Sequence, residues 1–309
     1  MRRIQVDASA FMFCFVRPHM SKFRLDRALS VSLIHPVLRV LKGHRHRGIP
    51  ILMYHSIRNG MGTKHPYFET NTSPELFARH MKFLRDNGYT PVDLNHVVDA
   101  IKTGGDRQKP IAITFDDGYR DFYTEALPIL GQNGFAATVF IVSGFIRAQH
   151  TRVGNKEFMT WKEVQEIHAH GIHIGSHTVN HPELWRMSPR EVECEIRQSK
   201  ETIEEKLSES LRSFSYPFAF PEHDKRFVEM LRGFLGKHGY ENGVSTVIGT
   251  AGRDHDRYFL PRLPVNSHDD LRFFQAKVEG GYDWLHTPQR FYKSCLRHGS
   301  PVARVAHAG

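Results

Sequence analysis

Ile111-Ala112-Ile113-Thr114-Phe115-Asp116-Asp117-Gly118 is an apolar run that ends in two adjacent carboxylates and a glycine. A short apolar run closed by a turn residue reads as a buried strand. A helical pattern follows over about 122–132, and residues 136–142, rich in β-branched and aromatic types, predict the next strand. The alternation continues in both directions. Strands are predicted at 49–55, 173–177, 211–218, 243–248 and 260–265, with helices at 161–170, 189–207 and 227–235 between them. Ser73-Pro74-Glu75 supplies an N-cap with proline at the first helical position, and Gly88 closes that helix. Repeated β-α alternation argues a parallel sheet, either open or closed into a barrel, and periodicity alone does not choose between them.

Asp116 and Asp117 stand at the end of the 111–117 strand. Neighbours in a regular strand point to opposite faces, so a shared site needs the turn that Gly118 permits. Alone, the pair reads better as a helix N-cap for the element starting near Asp121, because aspartate is favoured there. Downstream, Ser176-His177-Thr178-Val179-Asn180-His181-Pro182 follows another predicted strand and sets two imidazoles four residues apart. A single helical turn at that spacing places both rings on one side, and Pro182 fixes its own φ beyond it. Ser176 or Thr178 is positioned to hold the rings, whereas His170 and His173 lie off the motif and read as structural. One carboxylate and two imidazoles make a three-ligand site for a divalent metal, with positions left for water and substrate. The second carboxylate is then spare to act as a base. That is the equipment of a metal-dependent hydrolase.

The composition allows this and narrows the rest. The chain has 309 residues, 40% of them hydrophobic and 24% charged, which suits a globular protein with a sizeable core. No apolar run approaches the ~20 residues that cross a membrane. Ala8 to Val16 is apolar but short, and without a small-residue cleavage site it makes a poor signal peptide. Cys14, Cys194 and Cys295 are widely spaced, which argues against a disulfide framework or a cysteine-based zinc site and fits a reducing compartment. A cytoplasmic location, or one peripheral to a membrane, is the expectation. The net charge of +9 favours an anionic partner, yet the basic residues are scattered, with the densest group at Lys42, His44, Arg45, His46 and Arg47. The aromatic-plus-basic pattern of a nucleic-acid module is missing. Residues 1–48 read as an extension, 49–290 as the main domain and 291–309 as a tail. Within the extension, 29–41 can form an amphipathic helix interrupted by Pro36, which either packs on the main domain or touches a membrane surface. Nothing in the sequence fixes an oligomeric state.

The Asp-Asp-Gly and His-x-x-x-His-Pro segments resemble the first two motifs of the polysaccharide deacetylase family, the NodB-homology or carbohydrate esterase 4-like enzymes, in residue type, spacing and order. The resemblance implies a distorted (β/α) barrel, often with seven strands, in agreement with suspected ligands at strand C-terminal ends, where barrel sites are built. By position in the motif, Asp117 binds the metal with His177 and His181, and Asp116 is the catalytic base. Ser215-Tyr216-Pro217-Phe218 resembles the third motif, in which the residue after the proline, here Phe218, lends its backbone N–H to the oxyanion. The usual motif has arginine where this chain has Ser215. Arg262, in Pro261-Arg262-Leu263-Pro264-Val265, is placed to supply the missing group by pairing with Asp116 from another strand; the alternative is a structural salt bridge. The family's usual general acid, from a Leu-x-His near the C-terminus, has no convincing counterpart here. Ile51-Leu52-Met53-Tyr54-His55-Ser56 instead resembles the opening of the subgroup acting on exopolysaccharide poly-N-acetylglucosamine, with His55 as the acid and Tyr54 packed away from the mouth. His268 is the runner-up for the acid.

The resemblance therefore implies a metal-dependent hydrolase that removes N-acetyl groups from an N-acetylhexosamine-containing polysaccharide or oligosaccharide. Zinc is the expected metal, with iron, cobalt or nickel also suited to one Asp and two His. Hydrolysis of another C–N bond, as in a ureide or cyclic amide, is the first alternative. A catalytically inactive carbohydrate-binding barrel is the second.

Overall fold

The computed structural model describes residues 24–42, 48–60, 69–104 and 108–289. The short apolar stretch Ala8 to Val16, Cys14, Cys295, the 291–309 tail and all of the basic group beyond Lys42 lie outside the described residues.

Seven parallel strands close a ring: β1 (Ile51–Tyr54), β2 (Lys109–Phe115), β3 (Thr138–Ile141), β4 (His173–Ser176), β5 (Ser213–Ser215), β6 (Asn242–Ile248) and β7 (Leu260–Pro264). Their order around the ring is their order in the chain, and β1 pairs with both β2 and β7. Closure satisfies both backbone edges of every ring strand, which an open sheet cannot do. Tyr89–Pro91 adds a short outer strand on the start of β2. The ring is irregular: β4 and β5 meet through the single pair Ser176–Phe214, and the β6–β7 register shifts between Val244 and Ile248. This is the distorted, seven-stranded (β/α) barrel that the sequence resemblance implied.

Strand alternation builds the two layers of the core. Along β2, Ile111, Ile113 and Phe115 pack outward with Phe77, Phe122 and Leu130 in the main apolar cluster, while Ala112 joins Ile51, Phe140, Val244 and Leu260 in a second one. Thr114 and Asp116 share the parity of Ala112 and so follow it to the inner face. The helix Leu94–Thr103 closes this second cluster with Leu94, Val97, Val98 and Ile101. Gly175 leaves the room that Phe140 needs, because a Cβ there would lie 2.3 Å from its ring.

Local signals set the helix ends. The Ser73 hydroxyl accepts from Leu76 N–H, and Thr160–Glu163 and Ser188–Glu191 form reciprocal capping boxes. Two helices pass through a proline by widening first. A π turn over Phe122–Ala126 precedes Pro128, and one over Ser30–Ile34 precedes Pro36. A proline ring would otherwise meet the carbonyl four residues back, and the wider turn relieves that contact. Pro36 therefore does not interrupt the N-terminal helix, as the sequence had suggested. It runs through Leu25–Leu29, Ser30–Ile34 and His35–Lys42 without a break.

Candidate active site

Asp116 and Asp117 emerge at the C-terminal end of β2 by different means. Asp116 continues the inner-face alternation, and its N–H donates to the Tyr54 carbonyl at 3.0 Å. Asp117 is outside the strand and takes a left-handed backbone (φ 78°), as Gly118 does after it (φ 77°). The turn expected of the glycine alone is thus shared by the aspartate, which brings the second carboxylate to the same rim.

His177 and His181 lie on a loop after β4, not on a helical turn. Thr178 (φ 68°) and His181 (φ 53°) are both left-handed, and the two imidazole centroids come within 4.8 Å. Of the five described non-glycine residues with positive φ, four are Asp117, Thr178, His181 and Phe218. Each such conformation costs on the order of 1 kcal/mol, so backbone strain is concentrated here and must be held by neighbours. Glu195, on the helix Pro189–Leu207, does much of that holding. Its carboxylate accepts from the N–H groups of Val179 (2.8 Å) and Asn180 (3.0 Å) and from the Asn180 side-chain amide (2.7 Å). The Thr178 hydroxyl accepts from His181 N–H at 3.0 Å, and Ser199 donates to the Thr178 carbonyl at 3.1 Å. Ser176 and Thr178 therefore fasten the loop backbone, whereas the ring of His177 is oriented by the Ser215 carbonyl, 2.8 Å from Nδ1. With Nδ1–H donating there, Nε2 is left as a lone-pair donor facing Asp117.

The donor set has the dimensions of a metal centre. His177 Nε2 and His181 Nε2 lie 3.5 and 3.4 Å from Asp117 Oδ1, and one donor atom from each of the three residues falls within 4.8 Å of the others. In a tetrahedral site with bonds of about 2.0–2.1 Å, donor atoms sit roughly 3.4 Å apart. Burial holds His177 neutral, pushing its pKa down to about 4. Burial pushes Asp117 up, but His181, His55 and His177 together bring it below the ordinary carboxylate value. Neutral imidazoles and an ionised carboxylate are the protonation states that a divalent cation requires. The residues present fit such an ion.

Asp116 is held apart from this set by Arg262. The guanidinium, 1% exposed, donates to Oδ1 at 2.8 Å and Oδ2 at 2.7 Å, and also to Thr114 Oγ1, Ser215 Oγ and the Ser245 carbonyl. Ser215 Oγ itself donates to Asp116 Oδ1 at 3.2 Å. Burial pushes Asp116 up, yet the Arg262 charge and its two hydrogen bonds, with His177, hold the carboxyl far below the ordinary range. The arginine missing at position 215 thus has its counterpart on β7, with the serine hydroxyl filling the space between.

His55 follows β1 directly and feels both carboxylates, Asp117 more than Asp116. Their pull does not raise its pKa above the ordinary value. Burial is the larger effect and brings it below the ordinary imidazole value. Tyr54 turns away and hydrogen-bonds His80, 3.1 Å from its hydroxyl. Phe218, in the loop after β5, packs its ring at a tilt against His181 with centroids 4.5 Å apart, and its N–H has no partner among the described residues. His268 lies elsewhere, beside Arg24, Glu69 and Asp269. Three groups at the rim went unread in the sequence. Tyr119 stands beside Asp117, where burial and the carboxylate's charge push the phenol pKa up, Asp121 fixes Ser56 and the Ile57 N–H next to His55, and Glu195 clamps the histidine loop. Only Glu195 left a signal, as a charge on the buried stripe Val192, Ile196, Ser199 and Ile203 of its helix.

A family profile described as polysaccharide deacetylase matches residues 103–235, a span that includes Asp116, Asp117, His177, His181 and Phe218. The polysaccharide deacetylase candidate YxkH of Bacillus subtilis is 34% identical over 242 residues, covering 77% of this chain and 79% of its own. The poly-β-1,6-N-acetyl-D-glucosamine N-deacetylase of Staphylococcus aureus is 22% identical over 234 residues, covering 70% of this chain and 78% of its own. Among solved structures, the Streptococcus pyogenes deacetylase PplD, determined with acetate, superposes with a TM-score of 0.64 at 26% identity over 75% of this chain and 98% of that one. Sequence, barrel and donor set agree, and the chain belongs to the polysaccharide deacetylase family.

Proposed function

We propose that the protein removes N-acetyl groups from N-acetylhexosamine units of a polysaccharide or oligosaccharide, adding water across the amide so that the C–N bond breaks to acetate and a free amine. The observation that carries this reading is a second carboxylate, Asp116, clamped by Arg262 beside an Asp117–His177–His181 donor set that does not need it. A barrel that only bound carbohydrate would have no use for that spare, ionised group.

Zinc suits the three donors best, and iron, cobalt or nickel would also be accepted by them. Once bound, a divalent ion would polarise the acetamide carbonyl and acidify water beside it. Asp116 accepts the proton of the attacking water, and Arg262 keeps that carboxylate ionised and aimed. The Phe218 N–H donates to the oxygen that gains charge as the carbonyl carbon becomes tetrahedral. His55 delivers a proton to the leaving nitrogen, without which the amine is a poor leaving group. The activity named for the Staphylococcus aureus relative and the Met53-Tyr54-His55 opening favour a poly-N-acetylglucosamine exopolysaccharide as the substrate class.

Acetate release from N-acetylglucosamine oligosaccharides, measured beside O-acetylated sugars, ureides and cyclic amides, tests the reading. Acetate with an equal yield of new amine is expected. Turnover of a ureide or cyclic amide with no acetate from any glycan would replace it with another C–N hydrolase, and no turnover at all with a binder.

A further inference from the structure

The N-terminal helix is docked with its polar side inward. Asp26, Ser30 and His35 are buried, while Leu25, Leu33, Val37, Val40 and Leu41 are 57, 56, 44, 85 and 74% exposed. These five are all the exposed large apolar side chains among the described residues. The inward side is fastened by hydrogen bonds and charge. Tyr282 donates to Asp26 at 2.9 Å, Trp284 Nε1 to Ser30 at 3.0 Å, His35 Nε2 lies 2.7 Å from Glu279, and Arg39 pairs with the same glutamate. Arg27 pairs with Asp270. The π turn sets this ladder. His35 N–H donates to the Ser30 carbonyl five residues back, so the docked positions step 26, 30, 35, 39 and stay in line. Leu33, Val37, Val40 and Leu41 then share the outer side at spacings of four, seven and eight.

Burying apolar faces is the usual reason a helix packs, so an inverted one has another use for that face. Spanning a bilayer is not that use of this helix, because no helix among the described residues is long and apolar enough. The charge next to it in sequence points to one occupant. The basic residues are spread along the chain, but their excess is not: residues 1–47 carry ten Lys or Arg against two Asp, leaving a net +1 for the other 262. Lys42 ends the helix, and Arg45 and Arg47 follow it directly in sequence. A second copy seated on this face would bring two such segments together, and like charge opposes that. An anionic surface is attracted instead.

We propose that the 25–42 helix is an interfacial anchor that lays Leu33, Val37, Val40 and Leu41 into the headgroup region of an anionic phospholipid membrane. The docked polar ladder ties the deacetylase barrel to that surface.

The test is flotation of the full-length protein with vesicles of phosphatidylcholine, with and without about a third phosphatidylglycerol. Wild type should partition to the anionic vesicles about tenfold or more over the neutral ones, less so at high salt. Leu33→Gln, Val37→Gln, Val40→Gln and Leu41→Gln combined, which leaves the charge unchanged, should lower that partition by about tenfold while metal content and hydrolysis of a soluble substrate stay at wild-type level. Undiminished binding by this variant would seat the contact elsewhere, such as in residues 1–23, and overturn the proposal. So would a wild-type dimer without vesicle affinity that the four substitutions convert to monomer.

Discussion

At the scale of single residues, two adjacent carboxylates divide the labour of the site. Asp117 faces two imidazoles and Asp116 faces an arginine, so one is arranged for a cation and the other is already neutralised. Asp116→Asn keeps the shape but cannot take a proton. Acetate release should fall about 10²- to 10⁴-fold while bound metal, which also reports folding, remains full. Turnover near wild type would move the base elsewhere. His55→Ala should cut acetamide hydrolysis about a hundredfold and barely touch an activated acetate ester, whose leaving group needs no proton. Because burial brings the His55 pKa below its usual value, its protonated fraction shrinks as pH rises through that lowered value. The amide-to-ester rate ratio should fall over the same interval in wild type and be flat in His55→Ala; parallel profiles would exclude His55. The motifs made the Asp and His positions legible, and the Arg262 pairing was readable once Ser215 was seen to break the pattern. The sign of the His55 shift was not, because burial is a property of the closed barrel and leaves no trace beside residue 55.

At the scale of elements, the histidine loop shows how a correct spacing can rest on a different backbone. Four residues between imidazoles suggested a helical turn, but the loop uses two left-handed residues, and the helix Pro189–Leu207 holds them from outside through Glu195 and Ser199. Glu195→Gln loses the charge and one acceptor oxygen. Metal affinity, measured by competition with a chelator, should weaken about 10- to 100-fold with the far-UV spectrum unchanged. Equal affinities would show that the loop holds its shape unaided. Helix starts were the most legible features: Ser73 caps as its sequence suggests, and the helices expected from 161 and 189 begin there, behind the caps Thr160 and Ser188. The helix Leu94–Thr103 was overlooked although Asp93, Gly104 and the stripe Leu94, Val97, Val98, Ile101 announce it. The π turns lie beyond sequence periodicity, because each replaces one step of four by a step of five, a single change of phase that a 3.6-residue repeat does not anticipate.

At the scale of the whole molecule, β-α alternation specified a parallel sheet but not its closure. Closure depends on β1 meeting β7, a contact more than two hundred residues apart, and the family motifs supplied what local pattern could not. The folded barrel also buries groups that titrate. His80 stacks on Phe274 at 3.9 Å, lies 2.8 Å from the Asp269 carbonyl, and has its pKa pushed down to about 4 by burial. The unfolded chain takes up that proton first, so the stability His80 contributes is complete above about pH 6.5 and is lost as pH falls toward 4, by roughly 3 kcal/mol. His80→Phe should be less stable at pH 8 yet lose less on acidification, as read by denaturant titration; an unchanged slope would assign the acid sensitivity to other groups. The central claim, that Asp117, His177 and His181 form one metal centre, is tested most directly by metal analysis of the purified full-length chain beside His177→Ala. One divalent ion per wild-type chain is expected and, in the folded variant, loss of most of that metal together with acetate release. Full occupancy in His177→Ala would contradict that claim.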